Sequence, residues 1–322
     1  PPSGSSTALE IDGAVSLSGR GAIQLNRALI AGDGAGDDVV TNVNVTIHGT
    51  GTIGSSDGKL TLINSGTIKV DNASNTLVVS TGNTIVNTGT LSGSNFGAEL
   101  WIKDSVNNTG GLITALNTGL VVVDGLVTGG NVTLGADNSG GIVVLNGGVV
   151  NAKLTGGGIL ANGVSGSTVT ANAGSTINLK GAVSNSTLTV AARKAIVLYG
   201  GAEVSNTTMA TAVGGVIAVD DAIFADGVTI KSGAQLLVSN DDDLYLHSAL
   251  GNAGQISIGS ASYDGGADLW IGGAVTLNGA GKVVLNASAD DDASSYILGE
   301  TSGSTLTNQG NTISGWGAIG SG

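Results

Sequence analysis

Leu60-Thr61-Leu62-Ile63-Asn64-Ser65-Gly66-Thr67-Ile68 reads as two short strands joined by a sharp corner. Apolar and small polar residues alternate on either side of Asn-Ser-Gly, which is the period-2 pattern of a half-buried strand rich in β-branched residues. The phrase recurs. Short apolar clusters stand at Leu77 to Val79, Leu120 to Val123, Ile142 to Leu145, Ile196 to Leu198, Val216 to Val219, Leu236 to Val238 and Ile256 to Ile258. Their spacing is mostly about 17–22 residues, the length of a solenoid rung. Asn-Ser/Thr-Gly corners return at Asn87-Thr88-Gly89 and Asn117-Thr118-Gly119. Asn and Gly tolerate the left-handed backbone of a sharp bend, and Asn at matching places can stack its side chain from rung to rung. The rival all-β reading is antiparallel sandwiches with hairpin turns. The even beat, the small corner residues and loops without proline favour a coil. The expected fold is all-β, a right-handed parallel β-helix with about 17–22 residues per rung.

Composition agrees. Of 322 residues 56 are Gly, and the two prolines are Pro1 and Pro2, so the glycine is neither collagen-like nor a Pro-rich linker. At 41% hydrophobic the chain can bury a core, but only nine residues are aromatic (three Trp, four Tyr, two Phe), which suits many thin aliphatic layers. Eleven Lys+Arg against 24 Asp+Glu leave a formal charge of −13. That sign disfavours nucleic acid, which needs a basic stripe to neutralise phosphates, and anionic membrane surfaces likewise. No cysteine is present, so disulfides and thiolate chemistry are excluded. No run reaches the ~18 apolar residues of a spanning helix.

A longer repeat lies above the rungs. Ala8-Leu9-Glu10-Ile11 through Gly21 lines up with Asp268-Leu269-Trp270-Ile271 through Gly281, an offset of 268 − 8 = 260. Ile47 to Ser55 lines up with Ile313 to Ser321, an offset of 313 − 47 = 266. Glu99-Leu100-Trp101-Ile102 echoes Asp268-Leu269-Trp270-Ile271 within the same unit. Residues 1–6 read as a linker or a cut edge. Residues 7–322 read as one continuous solenoid, holding one super-repeat of about 260–266 residues and the start of the next.

Asn311-Thr312-Ile313-Ser314-Gly315, Asn64-Ser65-Gly66-Thr67-Ile68 and Asn75-Thr76-Leu77-Val78-Val79 resemble the phrases of giant repetitive bacterial β-strand-repeat surface proteins. Those are similar to β-helix adhesins of the filamentous-haemagglutinin and autotransporter type. The resemblance implies a secreted or cell-surface β-helix with adhesive or spacer duty.

Parallel β-helices also carry polysaccharide lyases and hydrolases, so the carboxylates need inspection. They cluster at Asp37-Asp38, Asp220-Asp221, Asp241-Asp242-Asp243 and Asp290-Asp291-Asp292. Neighbouring residues of a strand point to opposite faces, so a run is a poor way to place two carboxyls across a glycosidic bond. Carboxyls from adjacent rungs would serve, but the sequence does not give the register. The arginines Arg20, Arg27 and Arg193 lie in none of these clusters. Asp33-Gly34-Ala35-Gly36-Asp37-Asp38-Val39-Val40 approaches the calcium nonapeptide without its first glycine, and Asp290 to Asp292 keeps acid but no glycine pattern. Solvated acidic bulges explain both stretches better, with calcium as the minor alternative and no cofactor expected. His48 and His247 lack the neighbours of a metal or catalytic centre. Trp101 and Trp270 are the candidate binding residues. Each stands between Leu and Ile, which puts the indole on the outer face if the aliphatic residues are inside.

The expected function is a non-enzymatic structural or adhesive rod segment of a large secreted or cell-surface bacterial protein. Its expected partners are a host or environmental polysaccharide or surface and neighbouring repeats of the same chain, with no nucleic acid and no membrane insertion. The alternatives are a glycan-binding module that uses the two tryptophans, or a β-helix polysaccharide lyase or hydrolase.

Overall fold

The computed structural model describes residues 7–134, 140–172, 176–259, 266–287 and 295–320. Residues 1–6 lie outside that set, and so do Asp290 to Asp292. The structure is all-β, built from short parallel strands stacked into a β-solenoid. It comprises two compact units, residues 1–162 with 173–175, and residues 163–172 with 176–322.

In the first unit each turn of chain contributes strands to three columns. One column passes through Thr46–Ile53, Thr76–Val79, Glu99–Ile102, Leu120–Val123 and Ile142–Leu145. Its register stacks Ile53, Val79, Ile102, Val123 and Leu145 directly over one another, all fully buried. A second column stacks Ile68, Leu91, Ile113, Val132 and Leu154 in the same way. Burial of each such side chain favours folding by about 1.5–3 kcal/mol. The core is therefore a set of aliphatic ladders, each rung gaining only from its two neighbours.

The second unit repeats the plan. Ile196, Ile217, Leu236, Ile256 and Val283 form one inner ladder. Phe224, Leu246 and Ile271 lie in another, carried by Val216–Phe224, Asp243–Leu246 and Ala267–Ile271. Along the last two strands buried and half-exposed residues alternate.

Rung length varies more than the expected 17–22 residues. Val143 pairs with Ile159, a step of 159 − 143 = 16, whereas Ala274 pairs with Thr305, a step of 305 − 274 = 31. The strands on either side of the longer turns keep their register.

The Asn corners do what the sequence suggests, by two different means. Asn42 donates to Asn64 (2.8 Å), Asn64 to Asn87 (2.7 Å) and Asn87 to Asn108 (2.7 Å), and none of the four is exposed. This is a buried amide ladder of the kind that stabilises cross-β stacks. Asn117 and Thr118 instead adopt left-handed backbone, at φ 47° and 62°. Asn64 and Asn87 are not left-handed, so their value lies in the side chain. Gly89 is required for space: a Cβ there would fall 2.1 Å from the Gly66 carbonyl oxygen.

Candidate functional site

Both candidate tryptophans face outward. Leu100 and Ile102 are buried and Trp101 half-exposed between them, and Leu269, Trp270 and Ile271 show the same alternation. Their surroundings differ.

Trp101 is enclosed by its own chain. In register it lies over Val78 and under Val122. Its indole N–H donates to the Asp124 carboxylate at 2.7 Å, and Lys103 Nζ lies 4.6 Å from the ring centroid. A cation over an indole face is attracted by the ring quadrupole, so this aromatic already has a cation and an acceptor.

Trp270 pairs in register with Tyr245 on one side and Leu298 on the other. The Tyr245 and Trp270 rings are nearly parallel, 11° apart, with centroids separated by 6.2 Å. Carboxylates flank this pair. Asp243 and Asp268 are register partners one rung apart. Asp221 accepts a hydrogen bond from the Asp243 backbone N–H at 3.0 Å, and the Tyr245 hydroxyl donates to Asp243 at 3.1 Å. Two residues beyond the aromatics, His247 Nε2 lies 2.8 Å from Glu300 Oε1, bridging two rungs. Gly272 lies between them, and a Cβ there would be 2.5 Å from the His247 ring and 2.8 Å from Glu300 Oε2. The Trp270 indole N–H is buried and has no hydrogen-bond partner.

The acids beside this pair carry uncompensated charge. Asp242 is pushed up to about 6 by partial burial, by the charges of Asp220 and Asp221 and by a hydrogen bond shared with Asp220, against a lowering bond from Ser239. Asp268 is raised by burial and by Asp243, against a lowering bond from the Tyr296 backbone. The Tyr245 hydroxyl is pushed up to about 12 by burial and by Asp243.

The remaining candidates have local structural partners. Asp38 is buried, and its carboxylate accepts the backbone N–H groups of Gly13 (2.7 Å) and Asp33 (3.1 Å). Asp33 in turn accepts the Ala35 N–H at 2.8 Å. These bonds close a loop between rungs, and among the described residues no group of three or more His, Cys, Asp or Glu side chains could hold a metal ion. His48 lies 3.3 Å from Asp71, which also pairs with Lys69 at 2.8 Å. Burial raises the Asp71 carboxyl, but the bonds from Lys69 and His48 outweigh it and hold the group below its ordinary range.

Sequence reasoning missed Tyr245, Asp268 and Gly272, and placed Asp243 only within an acidic run. Leu244-Tyr245-Leu246 repeats the pattern Leu269-Trp270-Ile271 at 269 − 244 = 25 residues, so a signal for Tyr245 was present. The acidic pairing depends on register, which no periodicity supplies.

No family model and no curated protein sequence matches the chain. Among solved structures it is similar to one described as "Crystal structure of TibC-catalyzed hyper-glycosylated TibA55-350 fragment". The identity is 16%, the match covers 98% of this chain and 100% of that one, and the TM-score is 0.34.

Proposed function

We propose that the chain is a non-enzymatic structural and adhesive segment of a large secreted or cell-surface bacterial protein, and that its outer aromatic face contacts polysaccharide. The observation that carries this reading is the Tyr245–Trp270 pair, two large aromatics directed away from the core beside a row of carboxylates. Aromatic rings with neighbouring hydrogen-bond acceptors offer a sugar both an apolar surface and partners for its hydroxyls. The coil supplies a repeating scaffold whose stability comes from nearest-neighbour stacking, so it can present such a face without a thick core.

The carboxylates support binding over hydrolysis. Asp220 and Asp242 share a hydrogen bond, whereas a glycosidase separates its two carboxyls by roughly 5–9.5 Å to admit the scissile bond or a water. The test is co-sedimentation of the purified chain with a panel of insoluble polysaccharides, combined with an assay for released oligosaccharides. Retention without release is expected. Released product would overturn the non-enzymatic reading, and failure to bind any polysaccharide would remove the adhesive one.

A further inference from the structure

Trp101 and Trp270 occupy equivalent places in equivalent strands, but Trp101 lies between Val78 and Val122 under a cation, whereas Trp270 lies between Tyr245 and Leu298. Lys103, two residues after Trp101, holds its ammonium 4.6 Å from the indole centroid. The equivalent residue after Trp270 is Gly272. On the neighbouring rung Asp124, two residues beyond the register partner of Trp101, takes the Trp101 indole N–H. Its counterpart beyond the register partner of Trp270 is Glu300, which is engaged by His247 instead. The Trp270 position thus lacks the lysine that covers Trp101 and has an aromatic neighbour in its place, and its indole N–H has no partner.

No lysine or arginine nearby in the sequence replaces that cation, and the one histidine there, His247, is engaged by Glu300. Residues 163–172 and 176–322 hold five basic side chains (Lys180, Arg193, Lys194, Lys231, Lys282) and thirteen acidic ones, a balance of 5 − 13 = −8. Lys231 follows the strand Val228–Ile230 and Lys282 opens Lys282–Asn286, both in columns other than that of Trp270. Asp221, Asp243 and Asp268 are carried by three successive turns. Adjacent rungs are about 4.8 Å apart, so the carboxylates form a row of repeating negative charge beside the aromatic pair.

We propose that the Tyr245–Trp270 face binds the protonated amino groups of an amino-sugar polysaccharide, with an ammonium placed over the Trp270 indole as Lys103 places its own over Trp101. This rests on the polysaccharide reading above and specifies its ligand class. A polymer with an amine on each sugar matches a carboxylate row with an acid on each rung. Its sugar rings lie against the aromatic surface, and its hydroxyls have the same carboxylates as acceptors. Uronic-acid and sulfated polymers are repelled by that row.

The test is calorimetric titration of the whole chain at low salt, under conditions that keep the amine protonated. The probes are a fully deacetylated glucosamine hexamer, its N-acetylated counterpart and hexalysine. The deacetylated hexamer should bind at least about tenfold more tightly than either, and Trp270→Ala should weaken it about tenfold. Trp270→Phe should restore part of the loss, separating an aromatic requirement from misfolding, and added salt should weaken binding. Equal affinity for the N-acetylated hexamer would overturn the amine seat while leaving a neutral-glycan face intact. Tighter binding of hexalysine would overturn the saccharide source. Binding of the deacetylated hexamer unchanged in Trp270→Ala would overturn the site. Absence of binding by both sugars would overturn this proposal, and the polysaccharide reading is then judged separately by the sedimentation panel.

Discussion

Trp270 lies against Tyr245 with ring planes 11° apart and centroids 6.2 Å apart, a displaced stack formed by two strands in register on the outer face of the coil. A displaced arrangement suits the ring quadrupoles and contributes about 0.5–1.5 kcal/mol beyond area burial. The Tyr245 hydroxyl also donates to Asp243. Tyr245→Ala should therefore destabilise the chain by about 1–2 kcal/mol, read as a lower urea midpoint at unchanged slope. A midpoint equal to that of the unmodified chain would show that the stack contributes nothing.

Asp242 makes stability depend on pH. Its folded-state value of about 6 stands above the 3.8 of a free aspartate, because of burial, the charges of Asp220 and Asp221 and the shared hydrogen bond with Asp220. The folded state therefore holds the proton more tightly than the unfolded chain does. The stabilisation is fully present below about pH 4 and is lost as pH rises through about 6. Urea midpoints between pH 4 and 7, followed by Trp270 fluorescence in a variant lacking the other two tryptophans, should fall with rising pH. Asp242→Asn should flatten that dependence; an equal slope in the variant would assign it to other groups.

The buried amide ladder predicts a large cost for a small change. Asn87 accepts from Asn64 and donates to Asn108, with all three unexposed. Asn87→Ala leaves a donor on Asn64 and an acceptor on Asn108 without these partners, at about 1–3 kcal/mol each. A total loss of about 3 kcal/mol is expected in urea unfolding. A loss below about 0.5 kcal/mol would mean that water replaces the amide.

Asp38 separates a structural carboxylate from a calcium ligand. Its oxygens are engaged by the Gly13 and Asp33 backbone N–H groups. Asp38→Ala should cost about 2 kcal/mol with or without calcium, and chelator should leave the thermal midpoint of the unmodified chain unchanged. A midpoint that rises with calcium and no longer does so in Asp38→Ala would make residues 33–40 a calcium site.

How much was legible depends on the length scale of the signal. Alternation around Leu100-Trp101-Ile102 is a property of adjacent residues, so the inward aliphatic and outward indole positions can be read directly. Asn64 and Asn87 carry the same corner triplet, and their stacking follows from that identity. The environments of Trp101 and Trp270 are another matter. Each is set by residues one or two rungs away, Asp124 in one case and Tyr245, His247 and Glu300 in the other. The bridge from His247 to Glu300 skips 53 positions of sequence. Rung lengths from 16 to 31 residues prevent any fixed period from predicting such a pairing.

The most direct measurement is the binding stoichiometry of Lys103→Ala. Lys103 is exposed, so its removal should leave the fold intact while uncovering the Trp101 indole beside Asp124. The Trp101 surroundings lack the aromatic partner and the carboxylate row of the Trp270 face, so Lys103→Ala should still take up one deacetylated hexamer, with the affinity of the unmodified chain. Uptake of a second hexamer by Lys103→Ala would show that an indole beside a single carboxylate is enough, and would contradict the requirement for the row of acids on which the account of the ligand rests.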